Sequence, residues 1–169
     1  HKRWTHEGGI STPFIMSWPA NTSEPRMLHQ PAHIVDIGAT IYDVAGATYP
    51  EERNGNPLTP LEGESFLSVF DGAEFDRQAP IVWEHEGNRA VRMGDWKLVS
   101  EGNTRWELYD MAVDRTELND LSDSDTERVA VMTKVYEVWA ARTGALPWPV
   151  GSGGMANPRV GTKHIHDVD

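Results

Sequence analysis

From Ile81 to Tyr109 the chain reverses direction every few residues. Ile81 to His85, Arg89 to Arg92, Trp96 to Val99 and Trp106 to Tyr109 are short runs rich in β-branched and aromatic residues. Between them stand Glu86-Gly87-Asn88, Gly94-Asp95 and Gly102-Asn103, the turn chemistry of hairpins. Connections this short are open to antiparallel neighbours only, because a parallel crossover takes a dozen or more residues. The spacing predicts a four-stranded antiparallel meander. A helix follows: Ser124-Asp125-Thr126-Glu127 has the pattern of a capping box, and Met132, Val135, Val138 and Trp139, with Val131 beside them, form an apolar stripe. Gly144 before Pro147 marks its end. That stripe is expected to cover one face of the meander.

The chain before the meander reads differently. Phe14 to Trp18 suggests a short buried strand bracketed by Pro13 and Pro19, neither of which can donate to a central ladder. Ile34, Ile37, Ile41 and Val44 recur at helical spacing, with Gly46 as a left-handed cap, so a helix is predicted over residues 34 to 45. Residues 48 to 79 are rich in Pro and Gly and read as connection, with one helical turn around Ser65 to Phe70. Beyond Val150 there is no periodicity, which predicts a poorly ordered or docked tail.

Composition excludes several functions. The 169 residues suffice for one sizeable core plus a tail. A net charge of -11 with no basic run argues against a phosphate-tracking nucleic-acid surface. The chain has no cysteine, so disulfides, thiolate metal sites and cysteine nucleophiles are excluded within it. No apolar run approaches the roughly 20 residues of a membrane span, and no signal segment stands at the front. Seven of the 15 aromatic residues are Trp. Indoles suit both a hydrogen-bonded core and a carbohydrate or aryl platform.

Several pieces of sequence occur in a telling order. They are Lys2 through Glu7-Gly8-Gly9 to Trp18-Pro19, His33-Ile34-Val35-Asp36 leading into Thr40 and Ala45-Gly46, and Pro60-Leu61-Glu62-Gly63. Trp83-Glu84-His85-Glu86-Gly87-Asn88, Gly94-Asp95-Trp96-Lys97-Leu98-Val99, Glu107-Leu108-Tyr109-Asp110 and Asp114-Arg115-Thr116-Glu117-Leu118 follow. The set resembles the C-terminal portion of the sulfatase family, arylsulfatase-like members of the alkaline-phosphatase-like superfamily. The resemblance implies the α/β fold of that superfamily, C-terminal part. Residues 1–47 would end the large mixed-sheet domain, 48–79 would connect, and 80–150 would form a small α+β subdomain with a four-stranded antiparallel sheet and a C-terminal helix. Residues 151–169 would be a tail. It also implies calcium and a formylglycine nucleophile in the complete enzyme, a sulfate ester of an aryl or carbohydrate alcohol as substrate, and a periplasmic or secreted location. The Cys/Ser-x-Pro-x-Arg segment that yields formylglycine does not occur in this chain, and neither do the calcium aspartates. Both are expected in a missing N-terminal part of the same protein.

Sulfate-ester hydrolysis needs cationic stabilisation of the sulfate oxygens and of the leaving oxygen. By resemblance Lys2 is the lysine that supplies it, as catalytic and substrate-binding residue; by composition alone it would be a solvated surface charge. Glu7 reads as a turn-fixing acceptor rather than a catalytic carboxylate, and Gly8 and Gly9 as residues allowing close backbone approach. His85, between Glu84 and Glu86 at the edge of the meander, is a candidate for substrate contact, against a structural hydrogen bond. His6 and His33 lack paired metal-ligand spacing, and His164-Ile165-His166-Asp167 is a weak chelating tail at most. Trp83, Trp96 and Trp106 fit either a sugar platform or the core. The acidic run Asp114 to Asp125 reads as a solvated face, without calcium-loop spacing.

The expected function is that of a C-terminal fragment of a sulfuric ester hydrolase. It contributes Lys2 and substrate-pocket walls, is inactive alone, and binds no metal through this segment. Alternatives are a phosphodiesterase or phosphonate hydrolase of the same superfamily, or a non-catalytic carbohydrate-binding module. Phe14, Ile15, Met16 and the helix with Ile37 and Ile41 are expected to expose apolar surface.

Overall fold

A computed structural model describes residues 3–22, 24–102 and 104–148. In chain order these form a single helical turn α1 (Glu7–Ile10), helix α2 (Ile34–Val44), a two-residue hairpin β1 (Glu52–Arg53) and β2 (Asn56–Pro57), and a 3-10 turn (Leu67–Asp71). Strands β3 (Ile81–His85), β4 (Asn88–Met93), β5 (Trp96–Ser100) and β6 (Glu107–Asp110) come next, then helix α3 (Thr126–Thr143). The chain divides into two compact units: residues up to Ser11 together with those from Val82 onward, and Thr12–Ile81 between them.

In the first unit the sheet order is β3-β4-β5-β6, the predicted meander. Its hairpins follow from the turn residues. Glu86 and Gly87 both take left-handed φ, 52° and 84°, as a type I′ turn requires. At the next corner Gly94 does so at 55° and Asp95 does not, which is the sign pattern of type II′. The register pairs Val91 with Leu98 and Leu98 with Leu108. The pleat therefore sends Val91, Leu98 and Leu108 to one face, where they are fully buried with Met132 of α3. Burial of each such Leu contributes about 1.5–3 kcal/mol. Ala90, Val99 and Tyr109 form the other face with Met111 and Trp83.

Helix α3 differs from its sequence reading in two respects. Its N-cap is Asp125, whose Oδ1 accepts the Arg128 N–H at 3.0 Å, and not Ser124. The Leu121 carbonyl takes both the Ser124 hydroxyl and the Ser124 and Asp125 amides, so the turn ends one residue later and the Ser124–Glu127 box does not form. The inward stripe is Val129, Met132, Val135 and Tyr136, while Val138 and Val131 are more than half exposed. At 100° per residue Val138 lies well off the Met132 direction, whereas 129, 132 and 136 stack. Gly144, at φ 74°, closes the helix as expected.

In the second unit α2 occupies the predicted span, but Phe14–Trp18 is no strand. No strand among the unit's described residues runs beside it, and an unpaired extended segment gains no ladder. Phe14 and Ile15 are exposed, although the rings of Phe14 and Trp18 meet Phe66 and Phe70 edge-on at 5.9 and 5.0 Å. Phe66, Val69 and Phe75 form a small core with Leu28, Ile37 and Phe70. Ile34, Ile41 and Val44 of α2 face solvent.

This unit is organised by Asp36, which is completely buried. Its Oδ2 accepts the His33 N–H at 2.7 Å, and its Oδ1 accepts the Glu64 N–H at 2.9 Å and an Arg77 guanidinium N–H. Thr40, one turn on, accepts the Phe66 N–H at 3.1 Å. Gly63 completes the junction, because a Cβ there would collide with the Val35 carbonyl. The His33-to-Asp36 and Pro60-to-Gly63 motifs thus describe a loop locked to a helix.

Candidate functional site

The residues following Lys2 cross the Ala90–Val99–Tyr109 side of the sheet as a strap. Lys2 itself lies outside the described residues. Arg3 Nε pairs with Glu86 Oε2 at 2.7 Å, at the β3–β4 hairpin tip. Thr5 is buried and its Oγ1 donates to the Arg89 carbonyl of β4 at 3.1 Å. His6 Nε2 stands 3.3 Å from Glu107 Oε2 on β6, and the Tyr109 hydroxyl donates to that same oxygen at 2.9 Å. Burial, and then the hydrogen bond to Glu107, push ionisation of the Tyr109 phenol upward.

Glu7 is the strap's firmest anchor. Its N–H donates to Glu117 Oε2 at 2.7 Å, while its own Oε1 meets Lys97 Nζ at 3.0 Å. Lys97, in the middle of β5, is completely buried and reaches Glu117 Oε1 at 2.8 Å as well. Arg115 closes the cluster, 3.6 Å from Glu7 Oε2. A buried ammonium is costly without partners, and two carboxylates satisfy this one. The geometry agrees with the reading of Glu7 as an acceptor that fixes a turn.

Glu117 reaches this place from a loop that two aspartates shape. Asp114 accepts the N–H groups of Leu118 and Asn119 and the Thr116 hydroxyl. The Asn119 amide bond is the largest influence holding its carboxyl below the usual range. Asp120 accepts the Leu108 N–H at 3.0 Å, tying the loop to β6. Burial works against its charged form, yet the Ser122 and Leu108 amides outweigh it and lower its pKa. Glu117 itself sits at φ 56°, a left-handed conformation uncommon for a non-glycine residue. The acidic run read as a solvated face is thus partly an internal scaffold.

The other sequence candidates scatter. His85 is exposed at the hairpin tip, beside Glu84, which accepts the Gly87 N–H, and Glu86, which holds Arg3. His33 precedes α2 in the other unit, and burial lowers its pKa despite Asp36. His164 and His166 fall outside the described residues. Trp83 packs on one face of the sheet, Trp96 and Trp106 on the other, so the three are core residues and share no platform. Arg128 covers Trp96 and Arg89 covers Trp106, at 4.0 and 4.4 Å from the ring centres. Among the described residues no group of three His, Asp or Glu could hold a metal ion. The described residues thus offer no calcium site, and the chain has no cysteine that could become formylglycine.

Lys97, Arg115 and Glu117 escaped sequence reasoning as a cluster, though each lies in a motif that carried the resemblance. Strand alternation places Lys97 with Val99 and Tyr109, and a lysine on an apolar face signals a missing counter-charge. Nothing local pointed to Glu117.

A four-stranded antiparallel meander with a covering C-terminal helix is what the resemblance to a sulfatase C-terminal part implied. The chain belongs to the family described as N-sulphoglucosamine sulphohydrolase, C-terminal, which matches residues 1–141. It is similar to an uncharacterized sulfatase of Schizosaccharomyces pombe, 28% identical over 88% of this chain and 28% of that one. It is also similar to human arylsulfatase D, 29% identical over 61% of this chain and 16% of the relative. A solved structure from work on the metabolism of multiple glycosaminoglycans by Bacteroides thetaiotaomicron superposes with a TM-score of 0.70. It is 21% identical and covers 83% of this chain and 31% of that one, a likeness of fold. The chain thus spans less than a third of the length of each of these three proteins. Among the described residues no helix is long and apolar enough to cross a membrane.

Proposed function

We propose that the complete protein hydrolyses a sulfate ester, of the arylsulfatase type, and that this chain supplies Lys2 as its sulfate-contacting cation. The observation that supports this reading most is the family match through residues 1–141, which begins on the Lys2 segment. An ammonium beside the sulfate group stabilises the leaving oxygen as the S–O bond breaks and charge gathers there. That interaction strengthens toward the transition state, so it acts on kcat more than on binding. His85, exposed at the hairpin tip whose Glu86 pairs with Arg3, would line the substrate pocket. Calcium and formylglycine would be held by segments other than this one, in a periplasmic or secreted enzyme.

The test is Lys2→Ala in the complete protein. With 4-nitrophenyl sulfate as substrate, kcat/KM falls by roughly 100-fold or more while the melting temperature is unchanged. Near-normal kinetics remove Lys2 from the site. The 169 residues alone are expected to show no turnover of the same ester, and measurable hydrolysis by them would sink the proposal that the nucleophile lies elsewhere.

A further inference from the structure

Asp36 gathers its three donors in the first turn of α2, and the residue that starts this helix titrates near neutral pH. His33 is the N-cap, extended at φ -122°, and it forms a reciprocal box with Asp36. Asp36 Oδ2 takes the His33 N–H, and the Asp36 N–H is directed at the His33 imidazole as well as at the His33 carbonyl, 2.9 Å away. Ser, Thr, Asp and Asn are the usual caps, and none of them changes charge between about pH 5 and 8.

A protonated imidazole is poorly placed here on three counts. Both ring nitrogens then carry hydrogen, so the ring no longer accepts from the Asp36 amide. Its charge stands at the positive end of the helix dipole, where anions are favoured and cations are not. Arg77, whose side chain is 6% exposed and paired with Asp36, adds a like charge from the loop. Asp36 is the opposing influence, and its carboxylate already serves two amides and Arg77. The other carboxylate of the junction, Glu64, is turned to the Gln78 and Ala79 amides.

We propose that His33 is an acid-sensitive latch: its neutral imidazole keeps residues 63–79 locked to α2, and protonation loosens them. That loop carries Phe66, Val69 and Phe75, the buried core of the Thr12–Ile81 unit, so the latch acts on the unit's packing. Burial of the ring lowers the His33 pKa most, and Arg77 lowers it further, against the pull of Asp36. In an opened junction the solvated ring titrates near its ordinary value of about 6.5. The opened form therefore takes up the proton more readily than the closed one. The closed form is fully favoured above about pH 6.5, and its advantage shrinks as pH falls below that value.

Amide hydrogen exchange of the 169-residue chain, corrected for the intrinsic effect of pH on exchange, tests the latch. The Glu64 and Phe66 amides, which donate to Asp36 and Thr40, should lose protection by roughly 5- to 10-fold between about pH 7.5 and about pH 5.5. His33→Asn keeps a capping acceptor without a titrating ring, so its protection should change by less than about twofold. Asp36, Glu64 and Arg77 are common to both proteins, so the difference belongs to the imidazole. His33→Ser, another N-cap residue, repeats the comparison so that no single substitution decides it. The His33 ring, followed by NMR, should take up its proton below about pH 6.5. Equal losses of protection in wild type and both variants overturn the latch. So does wild-type protection that is the same at both pH values, or a His33 ring that titrates above about pH 6.5.

Discussion

Replacing Asp36 by Asn changes one atom and should unfold much of the Thr12–Ile81 unit. Asp36 is completely buried and meets three donors: the His33 amide on one oxygen, the Glu64 amide and Arg77 on the other. Asn offers a single acceptor oxygen. If that oxygen serves Glu64 and Arg77, its NH2 faces the His33 N–H, leaving a buried donor unsatisfied at a cost of about 1–3 kcal/mol. The Arg77 side chain, only 6% exposed, then keeps its charge without a counter-ion. Removing one partner of a buried pair costs about 3–5 kcal/mol, and that range should bound the whole effect because the terms overlap. The assay is urea unfolding of the 169-residue chain followed by circular dichroism, with hydrogen exchange at the Glu64 amide reporting on the junction itself. Adding Arg77→Met to Asp36→Asn removes the stranded charge, so the double variant should be more stable than the sum of the singles by about 1 kcal/mol or more. A loss below about 1 kcal/mol for Asp36→Asn, or strict additivity, refutes the reasoning.

Gly63→Ala should destabilise the same junction by about 3 kcal/mol, since its methyl group would overlap the Val35 carbonyl, which cannot move without bending α2; an unchanged urea midpoint would contradict this. Asp114, whose carboxyl titrates below its unfolded value of about 3.9, stabilises the fold fully above that value, and the contribution disappears as pH falls through the lower folded value. Asp114→Asn should therefore lose stability at neutral pH and flatten the acid limb of the stability curve below about pH 4; an unaltered limb would dismiss Asp114 as its source. Ile15, Ile34 and Ile41, 89%, 75% and 62% exposed, predict concentration-dependent self-association of the 169-residue chain, and a strictly monomeric light-scattering mass at high concentration would refute it.

What could be read from the sequence was local. Strand boundaries in the meander fall within a residue or two of the predicted ones because Gly87 and Gly94 dictate their turns through backbone sterics alone. The end of α3 at Gly144 was legible for the same reason. Its start was not, because Ser124 and Asp125 are equally good caps and the choice depends on the Leu121 carbonyl, a turn feature with no sequence signature. Phe14–Trp18 has strand composition, yet a strand exists only where a neighbour offers a ladder. The site shows the same division. Glu7 looked structural from its Gly8-Gly9 neighbours, but its partners stand 90 and 110 residues away, a distance over which spacing says nothing.

Those separations bear on the order in which the molecule can be made. A ribosome adding roughly 5–20 residues per second finishes Glu7 on the order of ten seconds before Glu117 exists to receive its amide. For most of that interval the strap has no surface to lie on, because the Thr12–Ile81 segment must be synthesised before β4, β5 and β6. Closing so long a loop adds only a logarithmic entropy term, so the delay is a matter of timing rather than of stability. A protein assembled in this sequence completes the attachment of the strap only once Glu117 has been made, and a factor that shields that stretch of the nascent chain would act on that step.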